Sequence, residues 1–204
     1  EFSEPLEFDS IVDDIQSVLQ HLDVKNFHLV GISMGGLVCQ AFLRKSICKK
    51  PKSVSLISTF NSSEFFLPID ANWPDEFDQL LVKMRPYFSD GFFESNNLLI
   101  NAMIKQMLNG IKQGDFIKKS KLQRRAMLDW LDNNSQVLTS ICQTPSLIIH
   151  GDSDRIISPD AVLSLKKTHP NCRLRIYKSK GHLLLAEASS ELRKDILEFI
   201  QSVP

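Results

Sequence analysis

The chain has 204 residues, enough for one domain with room for an insertion, and 43% of them are hydrophobic, enough to bury a sizeable core. Lys plus Arg and Asp plus Glu each number 24, so no net field draws the chain to nucleic acid or an acidic surface. No apolar run is long enough to span a bilayer and the first residues do not read as a secretory leader; four scattered cysteines (Cys39, Cys48, Cys142, Cys172) lack metal-like spacing, so reduced thiols, a cytoplasmic location and no metal or cofactor are expected.

Residues 1–8 show little pattern. Ser10 then reads as a helix N-cap with Asp13 at the third helical position, and Ile11, Ile15, Val18, Leu19 and Leu22 recur at helical spacing to about Asp23. Residues 27–30 form a short apolar strand that runs into Gly31-Ile32-Ser33-Met34-Gly35, and residues 36–42 continue as a helix to about Ser46. A serine raised above a sheet edge needs a very tight strand-to-helix turn. Gly31 and Gly35, two before and two after Ser33, let strand and helix approach closely. The same turn sets Ser33 at a helix N-terminus, where backbone N–H groups and the dipole favour developing negative charge.

Residues 52–59 read as the next strand. From Phe60 to about Asn134 no strand is evident, but three helical stretches are. One carries Phe77, Leu80, Leu81 and Met84. A second carries Leu99, Met103, Met107 and Ile111, and the third is capped by Ser120 and carries Leu122, Ala126 and Trp130. Strand and helix then alternate again: residues 146–150 form a strand, Ser158-Pro159 starts a helix that Pro170 closes, residues 173–178 form a half-exposed strand, and Leu192, Ile196, Phe199 and Ile200 line the last helix. Strands separated by helices imply a parallel sheet. The division expected is a core of residues 1–60 and 135–204, with 61–134 as a helical cap inserted over the C-terminal ends of the strands, the edge where open α/β sheets bind ligands.

A serine hydroxyl becomes a nucleophile when a base takes its proton and a carboxylate orients that base. His182 stands in a loop directly after the last strand and is the base expected. His150, at a strand end beside Gly151, is the alternative; His21, His28 and His169 lie inside or at the end of regular elements. Two carboxylates follow the strand at 146–150. Asp154, three residues beyond Gly151, is favoured over Asp152, which can hold the turn through its own backbone. Asp70 and Asp75 are further alternatives.

Gly31-Ile32-Ser33-Met34-Gly35-Gly36, Ile148-Ile149-His150-Gly151-Asp152-Ser153-Asp154-Arg155-Ile156 and Lys180-Gly181-His182-Leu183-Leu184-Leu185-Ala186-Glu187, in the chain order Ser33, Asp154, His182, resemble the signatures of the α/β-hydrolase superfamily, in its capped serine esterase and lipase-like branch. The resemblance runs from Ser10 onward and implies an α/β fold with a mostly parallel sheet, helices on its faces and a helical cap after the second visible strand. It implies the N–H of Met34 as an oxyanion donor. Members of that family usually carry three or four strands before the helix that leads to the nucleophile strand, with a second oxyanion donor on a loop among them. Ser33 stands too near the start for those strands. The chain is therefore expected to be the C-terminal part of such a fold, with its nucleophile strand at an edge and with weak activity and self-association when alone.

What the resemblance implies about function is hydrolysis of a small-molecule carboxylic ester through an acyl-enzyme, on an apolar acyl chain. Thioester or carbon–carbon bond hydrolysis belongs to the same superfamily, and a non-catalytic binding or scaffold protein is the alternative of another class. Aromatic residues crowd the start of the cap (Phe60, Phe65, Phe66, Trp73, Phe77, Tyr87, Phe88, Phe92 and Phe93), as either an acyl pocket or a small core. Lys112, Lys118, Lys119, Lys121, Arg124 and Arg125 form a basic run, read either as a solvated helix face or as a dock for an acidic carrier protein.

Overall fold

Ser53–Ile57 and Ser146–Gly151 are buried along their whole length, their serines and His150 included, as expected of central strands covered on both faces. The computed structural model describes residues 7–45, 50–66, 72–135 and 142–204. In chain order the elements are α1 (Phe8–His21), β1 (His28–Ile32), α2 (Met34–Lys45), β2 (Ser53–Ile57), α3 (Phe77–Met84), α4 (Asp90–Ser95), α5 (Asn97–Lys112), α6 (Asp115–Asn134), β3 (Ser146–Gly151), α7 (Ala161–Thr168), β4 (Arg173–Tyr177), α8 (Leu184–Glu187) and α9 (Ser189–Ser202). The strands form one parallel sheet in the order β1-β2-β3-β4.

Alternate strand residues go to opposite faces. Val54, Leu56 and Ile148 pack with Cys39 of α2 and with Val162 and Leu165 of α7. Ile57, Leu147 and Ile149 pack on the other side against Leu184, Leu192 and Phe199. All four strands are parallel, so all four of their C-terminal ends lie along one edge. Ser33, Thr59, Asp154 and His182 all follow strands at that edge.

Helices α3 to α6 lie between β2 and β3 in the chain. Leu80, Met84, Phe88, Phe93, Ile100, Ile104, Leu108 and Ile111 give this block a core of its own. The second half of α6 instead joins α1 and α2: Ala126, Met127, Trp130 and Leu131 share a cluster with Phe8, Val12, Leu37 and Phe42, and the rings of Phe8 and Trp130 stack 5.2 Å apart.

Three local expectations are corrected. Helix α1 begins at Phe8, not after a cap at Ser10, because Phe8 is buried against Trp130 and anchors a turn earlier. The inner stripe of α5 is Ile100, Ile104, Leu108 and Ile111, so the apolar face is rotated from the predicted one and Leu99 is 45% exposed. Ser120 is not a cap. Helix α6 starts at Asp115 after Gly114, whose φ of +94° suits glycine, and the Ser120 hydroxyl accepts a hydrogen bond from Trp73 Nε1 at 2.8 Å.

Candidate active site

Ser33 is held in the turn between β1 and α2 with φ +53°, a left-handed conformation that a serine adopts only under constraint. The constraint is visible. Ser33 N–H donates to Ile57 O at 2.9 Å, while its own carbonyl accepts from Gly36 N–H at 2.9 Å and from Thr59 Oγ1 at 2.7 Å. A Cβ on Gly31 would come within 2.2 Å of Gly35 O, so the absence of a side chain at Gly31 is what lets β1 and α2 meet this closely. Gly35 differs from the expectation: a Cβ there would meet open space. The second crowded glycine is Gly36, packed on the Thr59 side chain. Met34 opens α2, so its N–H has no acceptor within the helix.

Asp154 sits in the turn after β3 and is 4% exposed. Its Oδ1 accepts from the N–H groups of Ile156 at 2.8 Å and Ile157 at 2.9 Å, which fixes the carboxylate plane. Oδ2 is left to His182 Nδ1, 2.9 Å away. In the tautomer that donates Nδ1–H to Asp154, His182 Nε2 faces Ser33 Oγ at 3.1 Å, placed to accept its proton. The loops that carry Asp154 and His182 are brought together at Gly151, where a Cβ would lie 2.3 Å from Lys180 O. Ser33, His182 and Asp154, with His182 149 residues from Ser33 and 28 from Asp154 along the chain, thus form one hydrogen-bonded line.

The other carboxylates lie elsewhere. Asp152 turns outward, accepting from Ser179 N–H at 2.7 Å and the Ser153 hydroxyl at 3.1 Å and pairing with Lys178. Partial burial would raise its pKa, but those hydrogen bonds and the lysine outweigh it and hold it below its ordinary value. Asp75 is exposed, and Asp70 lies outside the described residues.

Three contacts were not readable in the sequence. His150 is buried, with Nε2 3.2 Å from Ile157 O and 3.4 Å from Asp154 Oδ2, so a second imidazole flanks the carboxylate. Burial lowers its pKa despite the nearby Asp154, so it stays neutral. Glu187 is 6% exposed; its carboxylate accepts from Ser89 N–H (2.8 Å), Ser89 Oγ (2.6 Å) and Gly181 N–H (3.1 Å). Its one signal in the sequence is an acid set in the apolar stretch 183–188. The third contact belongs to the strap from Tyr87 to Asp90. Leu183 N–H donates to Tyr87 O, Arg155 donates to Phe88 O and pairs with Asp90, and the Tyr87 ring stands edge-on to His182 with centroids 5.9 Å apart.

The aromatic residues of this stretch differ in burial. Phe88 and Phe93 belong to the core of the helical block, which also borders a partly open pocket of about 360 Å³ lined by Met84, Met103, Met107 and Phe116 among others. Trp73, Tyr87 and Phe66 are only partly buried; the Trp73 and Tyr87 rings lie 6.3 Å apart, and Phe66 stacks on Phe60. Burial pushes the Tyr87 hydroxyl up to about 12, partly offset by the Arg124 charge. Of the basic run, Lys119 pairs with Asp115 and Arg125 with Asp129, each within α6, and Arg124 lies over the Phe66 ring at 5.0 Å. Among the described residues no helix is long and apolar enough to cross a membrane, and no cluster of His, Cys, Asp or Glu could hold a metal ion.

The sequence profile of the alpha/beta hydrolase fold family matches residues 3–189. The non-heme chloroperoxidase CPO-A1 of Kitasatospora aureofaciens is 25% identical over 219 residues, a match that covers 95% of this chain and 74% of that protein. Lipase 1 of Psychrobacter immobilis is 23% identical over 174 residues, covering 81% of this chain and 53% of the lipase. The structure of a meta-cleavage product hydrolase from Pseudomonas fluorescens IP01 superposes with a TM-score of 0.80 at 19% identity, covering 100% of this chain and 75% of that one.

Proposed function

The chain belongs to the alpha/beta hydrolase fold family, and from that premise we propose that it is a serine hydrolase of carboxylic esters, with residues 61–134 as a helical cap over the site. Ser33 Oγ attacks the ester carbonyl while His182 Nε2 takes its proton, and Asp154 holds the imidazole and stabilises the imidazolium that forms. The oxyanion is met by the N–H of Met34 at the N-terminus of α2. His182 returns the proton to the departing alcohol, and the same groups then activate water against the acyl-Ser33 ester.

The observation that carries this reading is the line from Asp154 through His182 to Ser33, at 2.9 and 3.1 Å, ending on a serine in a left-handed backbone conformation. A non-catalytic scaffold has no use for that strain. The partly buried rings of Tyr87, beside His182, and of Trp73, next to Tyr87, support an apolar acid portion in the substrate. Docking of an acidic carrier protein draws little support from α6, where Lys119 and Arg125 are paired with acids of the same helix and Arg124 faces Phe66.

A fluorophosphonate probe tests the reading, because only an activated serine reacts. One adduct, mapped to Ser33 and absent from Ser33→Ala and His182→Ala proteins, is the expected result. An unlabelled wild-type chain, or equal labelling of Ser33→Ala, would overturn it.

A further inference from the structure

Two segments meet at one carboxylate. Glu187 closes α8 and is buried, and its Oε1 accepts two backbone N–H groups, from Ser89 at 2.8 Å and from Gly181 at 3.1 Å. Its Oε2 accepts the Ser89 hydroxyl at 2.6 Å. Gly181 is the residue before His182. A Cβ there would lie 2.6 Å from both Phe88 C and Ser89 N and 2.8 Å from Glu187 Oε1. The strap from Tyr87 to Asp90 and the loop that carries His182 are therefore in backbone contact around this carboxylate.

His182 stands between β4 and α8, where no helix or sheet ladder fixes its backbone. Single hydrogen bonds do so instead. Ser153 N–H donates to Lys180 O and Leu183 N–H to Tyr87 O, each at 3.0 Å. The Gly181 N–H goes to Glu187, and Lys180 Nζ returns to the Glu187 carbonyl at 2.9 Å, so residues 180–187 are clasped at both ends with His182 inside. Burying a carboxylate is costly unless donors surround it. An apolar side chain at 187 would avoid that cost but could not join the two segments.

We propose that Glu187 is a positioning residue for His182. By holding the Gly181 N–H against the strap it fixes the imidazole on the line between Asp154 and Ser33, through its shape and its acceptor oxygens rather than its charge. This deepens the serine hydrolase reading and rests on it. His182 Nε2 is 3.1 Å from Ser33 Oγ, and a misplacement of about 1 Å can cost on the order of 100-fold in rate.

The test reads kcat and KM for a short-chain p-nitrophenyl ester. Glu187→Ala is expected to lower kcat about 10- to 100-fold with KM within about threefold of wild type. Glu187→Gln should recover most of the loss: its oxygen can accept both N–H groups, and its amide can donate to the Ser89 hydroxyl. Glu187→Asp keeps the charge but is one methylene short, and should fall with Glu187→Ala. The order Gln above Asp sustains the proposal even if the Ala protein does not fold. Asp above Gln would assign the effect to charge and overturn it, as would equal effects on kcat and KM. Proton NMR gives an arm that needs no turnover. The downfield Nδ1–H resonance of His182, identified by its loss in His182→Ala, should persist in Glu187→Gln and shift or broaden in Glu187→Asp. That response in a chain that hydrolyses no ester would sink the esterase reading and leave the positioning role standing. A resonance identical in all three proteins would sink the positioning role.

Discussion

His150 Nε2 lies 3.4 Å from Asp154 Oδ2, the same oxygen that accepts from His182 Nδ1 at 2.9 Å. A neutral imidazole whose Nε2–H is shared between Ile157 O and Asp154 adds a donor to a carboxylate already held by two backbone N–H groups. Replacing it with Leu removes that donor and leaves the Ile157 carbonyl buried without a partner. His150→Leu is expected to lower kcat roughly tenfold with little change in KM. His150→Gln, which can donate to the same two oxygens, should recover most of the loss. Steady-state kinetics on the two variants check this, and a KM effect equal to the kcat effect would argue against a positioning role.

Asp154 and Asp152 stand two residues apart with opposite surroundings. Asp154→Asn keeps the shape but loses the charge that stabilises the imidazolium and can set the wrong tautomer of His182. The expected cost is on the order of 10³- to 10⁴-fold in kcat. Asp152→Asn keeps an acceptor for Ser179 N–H and loses only an exposed pairing with Lys178, so its rate should stay within about threefold of wild type. Ester hydrolysis or probe labelling rates rank the two, and a reversed order would move the acid to Asp152.

The two glycines flanking Ser33 should separate cleanly. A Cβ at Gly31 would lie 2.2 Å from the backbone oxygen of Gly35, which cannot move without dismantling the turn. Gly31→Ala is expected to cost about 3 kcal/mol or more, or to prevent folding. Gly35→Ala meets open space within the first turn of α2 and should leave stability unchanged or raise it by up to ~1 kcal/mol. Urea midpoints measure both.

Stability should fall on mild acidification. Burial lowers the folded pKa of His150 and of His169 below the ordinary 6.5. Once the pH drops through 6.5 the unfolded chain takes up protons that the native chain does not, so the unfolded state gains down to the folded pKa values. Asp152 acts in a separate, lower window: its depressed pKa stabilises the fold above the ordinary 3.8 and that contribution disappears as pH falls further. Urea midpoints at pH 7.5 and 5.5 are expected to differ, with a smaller difference in His150→Gln. No difference in the wild-type chain would mean that neither imidazole is held neutral.

Ser33, His182 and Asp154, proposed as nucleophile, base and acid, stood out in the sequence because each follows a strand, and a parallel sheet sends all such positions to one edge. Ser33 was further marked by the glycine that its turn demands two residues earlier. Periodicity also found the strands and most helices. It failed where a contact from elsewhere sets the boundary: Phe8 extends α1 because Trp130 covers it, and Ser120 looks like a cap until Trp73 is seen to use its hydroxyl. Tertiary pairing is equally why the sequence offered His150 only as an alternative base, Arg124 only as one of a basic run, and Glu187 with no role at all. A histidine beside a glycine, one acid among leucines and one arginine in a basic run carry no spacing signal, and their significance lies in partners 4 to 98 residues away.

Glu187 fastens Ser89 to Gly181, while Arg155 grips Phe88 O and Asp90 from the other side. Mechanically, the strap is a tie-rod between the helical block and the two loops that carry Asp154 and His182. A pull on the strap would load the residue before His182 and the residue after Asp154 at once. The geometry of the hydrogen-bonded line is thus tied to the seating of the helical block.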